Sequence, residues 1–455
     1  MLEFIRDERQ LLIMAAIWVG SSIFLGPLAF AIIPLTFILL RRAEAWPELL
    51  MGMLVILVLS DMRKDIHGML VFKSVKNVCV LLLLAFFLMR REDFRPHPRV
   101  FPIFLPFFIF SFLPLVFSST LITSVQKTIS YALMFLIVPN YVMYNFRSQG
   151  WSFFRNLVFL AVTLLAIGIL LRYVDFRLAY VAGRFHGLFG NPNGVAIFCF
   201  LSFMLMATVT HIRRDLFSTT EKIIIYGVII YSLILSGSRA SLAAVAIFLV
   251  ISRFFAYSPF LGFVVLIASV GVVEVVTSNL GAIITSLGLE KYFRLQTLEE
   301  GSGRYFAWEF AWRKLQPYYF FGGGWANDEF VMRSRYSYLE KMGHQGGVHN
   351  SYLSMWFNVG LIGIIIFFRS FILLFIKASK LTGMAIAVMF ATLFSITYES
   401  WLVGSLNPYT IMLLIIMTMI SEEEIALGAD PLVDDVEEIS AEEEPPPLGS
   451  RPQQA

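Results

Sequence analysis

Charge and cysteine are both scarce in this sequence. Only 15% of the 455 residues are charged, and the two cysteines, Cys79 and Cys199, lie within apolar runs. Thiols at such positions provide neither a disulfide framework nor a zinc ligand set. The N-terminal segment MLEFIRDERQ leads into an apolar segment and not into a cleavage site, so we expect no cleavable signal peptide.

Apolar residues are in large excess instead. They make up 58% of the chain, against about 45–50% in soluble domains. Runs such as VCVLLLLAFFLM (78–89) and LIGIIIFF (361–368), with their flanks, approach the roughly 20 residues that cross a bilayer. Because backbone groups in lipid must bond within their own segment, these runs predict helices. The fold class expected is an all-α polytopic membrane protein.

Fourteen candidate spans fit the hydropathy pattern, and twelve is equally compatible because the first four are short or interrupted by charge. Basic residues mark the cytoplasmic face of a membrane protein. The basic segments RR (41–42), HIRR (211–214) and KASK (377–380) share one face, whereas DMRKD (61–65) falls on the other. The spans lie near 11–24, 26–40, 46–60, 68–89, 99–117, 129–145, 156–171, 195–210, 222–236, 240–254, 259–276, 351–375, 382–398 and 408–420.

This assignment of spans and loops to the two faces of the membrane divides the chain into four parts. Residues 1–276 form an N-terminal transmembrane bundle, 277–350 a large periplasmic loop subdomain, and 351–420 the C-terminal transmembrane helices. The segment 421–455 carries eleven acidic residues, one arginine and no aromatic residue. That composition is typical of a disordered, solvated segment, and the threading makes it cytoplasmic.

The external loops collect the unusual polar residues. The segment GRFHGLFGNPNG (183–194) places Arg184, His186 and Asn193 beside two turn signals, just before a span. The segment SGSRAS (236–241) predicts a tight hairpin that presents Arg239. For Arg239 the plain alternative is a side chain that reaches the lipid headgroups.

Two further motifs belong to the large loop. The segment GSGRYFAWEFAWRKLQP (301–317) predicts an amphipathic helix with Arg304 and Trp308 on one face. Trp308 suits an interfacial anchor as well as a substrate contact. The segment GGVHNSYL (346–353) puts His349 at the start of a span, with Asn350 as the expected helix N-cap. The glycines of FGGGWAN (321–327) suit a turn better than a phosphate cradle, since no GK[ST] follows.

These residue types suit an anionic, lipid-linked substrate. Guanidinium groups grip a diphosphate bidentately and can stabilise it as a leaving group. A histidine can take the proton of an acceptor hydroxyl. The loops lack an Asp-x-Asp pair, zinc-ligand spacing and an ATP-binding motif, so we expect a transfer from an activated donor without a metal or other cofactor.

In their order along the chain, the segments GRFHGLFGNPNG, SGSRAS, GSGRYFAW, FGGGWAN and HNSYLSMWFNVGLIG resemble the O-antigen ligase and O-antigen polymerase superfamily of bacterial inner-membrane proteins. The resemblance covers roughly residues 180–370. It implies a metal-independent glycosyltransferase with a GT-C-like fold, whose donor is a glycan on undecaprenyl diphosphate at the periplasmic face. It also implies that Arg184 and Arg304 bind the diphosphate and that His349 activates the acceptor or helps to hold the donor. Arg239 occupies a family serine-arginine position.

Several functions remain open at this stage. In a ligase the acceptor is a sugar of the lipid A core, and in a polymerase it is another carrier-linked repeat unit; the motifs do not separate the two. A transporter of an anionic solute would carry charges within its spans, and those from 195 onward hold few. A structural scaffold would depend on the acidic segment 421–455 and not on Arg184, Arg304 or His349.

Overall fold

The computed structural model describes residues 2–62, 68–258, 304–341 and 347–431, together with isolated positions between 261 and 286. Nearly all of the described chain is helical. A two-residue antiparallel pair, β1 Tyr180–Val181 and β2 Arg184–Phe185, interrupts the helices. The helices are α1 Leu2–Asp7, α2 Arg9–Phe24, α3 Ala29–Arg42, α4 Trp46–Asp61, α5 Leu70–Met89, α6 Val100–Phe110, α7 Leu121–Gln149, α8 Trp151–Val174, α9 Phe176–Ala179, α10 Pro192–Ile212, α11 Thr219–Ser236, α12 Arg239–Tyr257, α13 Arg304–Leu315, α14 Asn327–Arg333, α15 Tyr336–Lys341, α16 Ser351–Ala378, α17 Met384–Tyr398, α18 Pro408–Ser421 and α19 Glu423–Ala426.

Seven of the described helices are long and apolar enough to cross a membrane: α5, α6 with the 3₁₀ turn that extends it to Phe117, α7, α8, α10, α11 and α16. Three shorter apolar helices, α2, α17 and α18, accompany them. This arrangement confirms the prediction of an all-α polytopic membrane protein. The predicted span near 259–276 falls largely outside the described residues, as do His67, His344 and much of the large loop.

Two helices form the centre of the bundle. All 14 residues of α18 are buried, and α4 is buried from Trp46 to Ser60 except at Glu48. Helix α11 is the opposite case, because Ile223, Ile224 and Ile234 are exposed on it. Large apolar side chains on the outer surface of such a bundle indicate a lipid-facing helix, since water would disfavour them. The short helix α18 is thus protected by its neighbours.

Helix α16 is broken at Gly360, whose φ of 67° and ψ of −179° are not helical. The glycine-rich segment after α13 satisfies the backbone groups that the break releases: Gly324 donates to the carbonyl of Asn358 over 2.9 Å, and Leu361 donates to the carbonyl of Tyr319 over 2.8 Å. A Cβ on Gly322 would lie 2.4 Å from the Asn358 carbonyl oxygen, so only glycine allows this approach. The glycine run is a packed turn that supports a transmembrane helix.

Helix α10 connects the two ends of the bundle. Helix α10 has Asn193 at its first turn, close to Glu399, and is followed by Arg213, which bonds Asp430. Its 21 residues span about 31 Å, so the two contacts lie at opposite ends. We call the end that contains Asn193 and Glu399 the site end, and the end that contains Arg213 and Asp430 the tail end.

The beginning of the acidic segment is ordered at the tail end. Arg147 grips Glu424 with bonds of 2.9 and 2.8 Å, and Glu423–Ala426 forms helix α19. The prediction of disorder from residue 421 onward is therefore corrected for residues 421–431. Composition alone suggested a solvated segment because it does not reveal that arginines of the bundle lie opposite these carboxylates. Residues 432–455 lie outside the described residues.

The described part of the large loop has a small core of its own. Ala307, Ala311 and Leu315 of α13 pack with Met332 of α14 and with Phe357 of α16. This second core is separate from the main core of the bundle. It fixes α13, and with it Arg304, against the start of α16.

Candidate functional site

Glu399, just after α17, is the centre of the polar network at the site end. Its Oε1 accepts hydrogen bonds from Asn193 Nδ2 over 2.7 Å and from Arg304 Nη2 over 2.5 Å. Its Oε2 lies 3.3 Å from Nδ1 of His349. Only 11% of the Glu399 side chain is exposed. One buried carboxylate thus gathers groups from three distant parts of the chain.

Arg184 reaches this network through Asn193. Its position on β2 places the guanidinium so that Nε donates to the Ser236 carbonyl over 2.8 Å and Nη2 donates to Asn193 Oδ1 over 3.0 Å. Asn193 therefore bridges Arg184 and Glu399. The adjacent Asn191 caps α10 by accepting from the Gly194 N–H, which fixes the loop just before the span.

The predicted hairpin between α11 and α12 is present. Gly237, which has a φ of 62°, caps the C-terminal end of α11, and Arg239 is the first residue of α12. Burial lowers the pKa of Arg239, and the positive charge of Arg304 lowers it further. The two cations are held on the same side of the bundle, which favours an anion between or beside them.

Helix α13 positions Arg304 and, one turn later, Trp308. The indole Nε1 of Trp308 donates to the Val348 carbonyl over 3.0 Å, so α13 is tied to the backbone just before His349. The ring of Trp308 lies 6.3 Å from that of Tyr398, the neighbour of Glu399 in the chain. Trp308 therefore supports the segments that hold the site.

His349 has an unusual backbone conformation. Its φ is +49°, a region that non-glycine residues seldom adopt. The two residues after His349 hold this conformation in place. Asn350 caps α16 by accepting from the Leu353 N–H over 3.0 Å, and Ser351 Oγ donates to the Glu399 carbonyl over 2.7 Å. Strained residues that their surroundings hold firmly cluster at functional sites. The N-cap predicted at Asn350 is present.

His186 is buried in the loop that carries Arg184 and Asn193. It is 2% exposed, and its Nδ1 lies 2.6 Å from the Phe189 carbonyl oxygen, within its own loop. Such a contact holds the loop that carries Arg184 and Asn193. The structure therefore favours a supporting position for His186.

Sequence analysis missed Glu399. One signal could have identified it, because Glu399 is the only acidic residue between Glu340 and Glu422. It also falls in a short loop that the threading placed on the external face. A lone carboxylate between two apolar helices, on the same face as several arginines, is a candidate partner for them.

The network combines two chemical features. Arg184, Arg239 and Arg304 carry three positive charges, and Glu399 carries one negative charge, so these four side chains have a surplus of two positive charges. A neutral His349 that donates from Nδ1 to Glu399 has its basic lone pair on Nε2. The site can therefore bind an anion and accept a proton.

Comparison with known proteins agrees with the predicted resemblance. A family model described as O-antigen ligase matches residues 224–368. The match includes Arg239, Arg304 and His349, while Arg184 and Glu399 lie on either side of it. No curated protein matches the chain significantly. The chain is thus a multi-pass membrane protein whose residues 224–368 match an O-antigen ligase domain, in agreement with the resemblance that its motifs predicted.

Proposed function

We propose that the protein is an O-antigen ligase-like glycosyltransferase. It moves a glycan from undecaprenyl diphosphate to a sugar of the lipid A core or a similar acceptor. The observation that carries this proposal is the convergence of Arg184, Arg304 and His349 on Asn193 and Glu399. A diphosphate diester bears two negative charges, which guanidinium groups such as those of Arg184 and Arg304 can bind bidentately.

Each group has a definite task in this reaction. Glu399 accepts a hydrogen bond from the Nδ1–H of His349 and orients the ring, so that Nε2 takes the proton of the acceptor hydroxyl. The hydroxyl oxygen then bonds to the anomeric carbon of the donor, and the bond from that carbon to the diphosphate oxygen breaks. The carrier diphosphate leaves with both electrons of that bond. Guanidinium groups stabilise the charge that develops on the leaving oxygen.

The orientation of the protein follows from its charges. Arg90, Arg91, Arg95 and Arg99 lie in the loop before α6, and Arg99 contacts Glu423 at the tail end. Because basic loops stay in the cytoplasm, the tail end is proposed to be cytoplasmic. The site end then faces the periplasm of a bacterial inner membrane, where a lipid-linked glycan would be presented.

The proposal is tested by glycan transfer with the purified protein in liposomes. The reaction contains undecaprenyl-diphosphate glycan, lipid A core and excess EDTA, and it compares wild type with His349→Ala. We expect labelled lipid A core from wild type and a loss of about 10²–10⁴-fold in the variant. The matched control is His211→Ala, which removes an exposed histidine at the other end of α10.

The other outcomes are equally informative. If lipid A core stays bare while carrier-linked chains lengthen, the protein is the polymerase of the same superfamily. If neither product forms from a verified donor, the glycosyltransferase proposal fails, and uptake of an anionic solute into the liposomes becomes the function to test.

A further inference from the structure

An open groove of about 670 Å³ lies between the end of the 3₁₀ turn that extends α6 and the segment that follows α13. It is lined by Phe117 and by residues 316–322, none of which belongs to the arginine network. Phe117 and Phe320 are 57% and 58% exposed. Large apolar side chains with this much exposure at one groove indicate a surface for an apolar partner.

The segment after α13 differs in composition from the helix before it. Residues 316–326, QPYYFFGGGWA, hold no charged residue, whereas α13 ends in Arg313 and Lys314. Residues 318–321 are four consecutive aromatic side chains, which we call the aromatic segment. A loop that lay in water would gain nothing from such a run, so its composition favours an apolar environment.

Hydrogen bonds fix the height of the aromatic segment along α16. The carbonyl of Phe320 accepts from the Ile362 N–H over 3.2 Å, just after the break at Gly360. From the break to its last residue, Ala378, the helix is about 27 Å long, close to the roughly 30 Å of a hydrocarbon core. The aromatic segment therefore lies at the level where α16 enters the bilayer on the side of the site end.

The groove continues the outer surface of two helices that can span the membrane. Helix α6 with its 3₁₀ turn and helix α16 are both long and apolar enough to cross a bilayer, and the rings of Phe107 and Phe367 pack 5.0 Å apart between them. Val116 is exposed beside the groove residue Phe117, and Ile365 is exposed one turn after Ile362. Since lipid covers exposed apolar side chains of spanning helices, it reaches the edge of the groove.

The aromatic types are arranged as at a membrane interface. Trp312 of α13 and Tyr319 have their rings 6.4 Å apart, and the Tyr319 carbonyl accepts from Trp356 Nε1 over 2.8 Å. Tryptophan and tyrosine are enriched at the headgroup level, where one side of the ring is apolar and the other is wet. The next two residues, Phe320 and Phe321, are exposed and have no polar group, which suits the acyl chains.

We propose that this groove binds a hydrocarbon chain of a membrane phospholipid, and that the aromatic segment inserts into the leaflet at the site end. The bilayer is the partner because the lipid-facing surfaces of α6 and α16 lead directly into the groove. Insertion keeps the basic last turn of α13, with Arg313 and Lys314, near the lipid phosphates. The large loop is thereby attached to the membrane at a point between its two flanking spans.

The test places a nitroxide label on Phe320→Cys in the full-length protein, reconstituted in phospholipid liposomes without glycan donor or acceptor. Collision rates are measured with oxygen, which concentrates in lipid, and with a water-soluble nickel complex. We expect the ratio of oxygen to nickel collisions to be at least about threefold higher than at Arg313→Cys. Cys79 and Cys199 are buried, so the unsubstituted protein measures background labelling.

Two control positions calibrate this ratio. Arg313→Cys is the water reference, because 72% of the Arg313 side chain is exposed on a charged helix turn. Ile365→Cys is the lipid reference on α16. Phe117→Cys, on the opposite wall of the groove, should resemble Phe320→Cys, and it decides the question if the Phe320 variant does not fold.

Two results would overturn the inference. A groove label with the ratio of Arg313→Cys would show that the groove is filled with water. A groove label that neither reagent reaches would show that protein, such as a second copy of this chain, covers the groove.

A second measurement identifies the hydrocarbon chain. A fluorescent label on Phe320→Cys should be quenched by phospholipids that carry bromine on their acyl chains near the headgroup, and more strongly than the same label on Arg313→Cys. If brominated phospholipids do not quench it, phospholipid is not the occupant and the inference is wrong. None of these measurements involves glycan transfer, so their outcome is independent of the proposed function.

Discussion

Arginines meet carboxylates at both ends of the bundle, but in different ratios. At the tail end Arg99 pairs with Glu423, Arg147 with Glu424 and Arg213 with Asp430, so each guanidinium has a carboxylate partner. Among the described residues of the site end, Arg304 bonds Glu399 directly, Arg184 reaches it through Asn193, and Arg239 lies near Arg304. A cluster in which each arginine is neutralised by a carboxylate joins two parts of the structure and has little affinity left for another anion. A cluster with surplus positive charge retains affinity for an anion, which makes it a candidate site.

The largest effect on the difference between the two ends is expected when an arginine of the site end is removed. We expect Arg304→Ala to lower kcat/KM for glycan transfer by about 10²–10³-fold, because one stabilising group for the leaving diphosphate is lost. Arg304→Lys should also be impaired, since lysine lacks the planar fork. The control is Arg313→Ala on the same helix, where the exposed Arg313 pairs with Glu309. Normal transfer by Arg304→Ala would contradict the proposed site.

A second variant removes the negative charge of the site end instead of a positive one. Glu399→Gln keeps an oxygen that Asn193 and Arg304 can bond, but removes the negative charge that orients His349. We expect kcat to fall by about tenfold to a hundredfold with a smaller change in the KM for donor. Single-turnover and steady-state kinetics measure both quantities. A rise in KM with unchanged kcat would instead give Glu399 a role only in donor binding.

The contribution of the ion pairs at the tail end can be measured by truncating the chain at two positions. Ending the chain after Ser421 removes the partners of Arg147 and Arg213, and we expect the midpoint of thermal unfolding to fall by about 2–6 °C. Ending it after Pro431 keeps the described contacts of the acidic segment, so the midpoint should not change. Thermal unfolding in detergent compares the two forms. Equal midpoints would show that these ion pairs add no stability.

The smallest effect is expected from a single ion pair at the tail end. Arg147→Ala leaves Glu424 unpaired, but 43% of the Glu424 side chain is exposed, so water replaces the lost partner. We expect a loss of at most about 1 kcal/mol in the free energy of unfolding and transfer within twofold of wild type. A large loss of transfer in this variant would mean that the tail end also contributes to the reaction.

Sequence patterns predicted most helices of the fold. The expected spans near 46–60, 195–210 and 408–420 correspond to α4, α10 and α18, with ends displaced by only a few residues. Hydropathy succeeds here because an apolar run in lipid has the helix as its available conformation. Hydropathy did not show that α16 is broken at Gly360, because the partner of the break lies on the segment after α13.

The candidate site was predicted in part. Motifs pointed to Arg184, Arg304 and His349, and to Asn350 as a cap, since these residues stand beside local turn and helix signals. Glu399 has no such local signal. Its partners Asn193, Arg304 and His349 lie 206, 95 and 50 residues away in the chain, and spacing of that kind does not indicate contact.

Two properties follow from the sequence by itself. Its long uncharged runs require helices in a membrane, and the arginines and histidine between those runs are residue types that suit anion binding and proton transfer. The tertiary structure decided which charges meet: it brought Glu399 to Arg304 and, through Asn193, to Arg184, and it placed the first residues of the acidic segment against arginines of the tail end. The physical reason is that charges act through distance in space, and only the packing of the helices sets those distances.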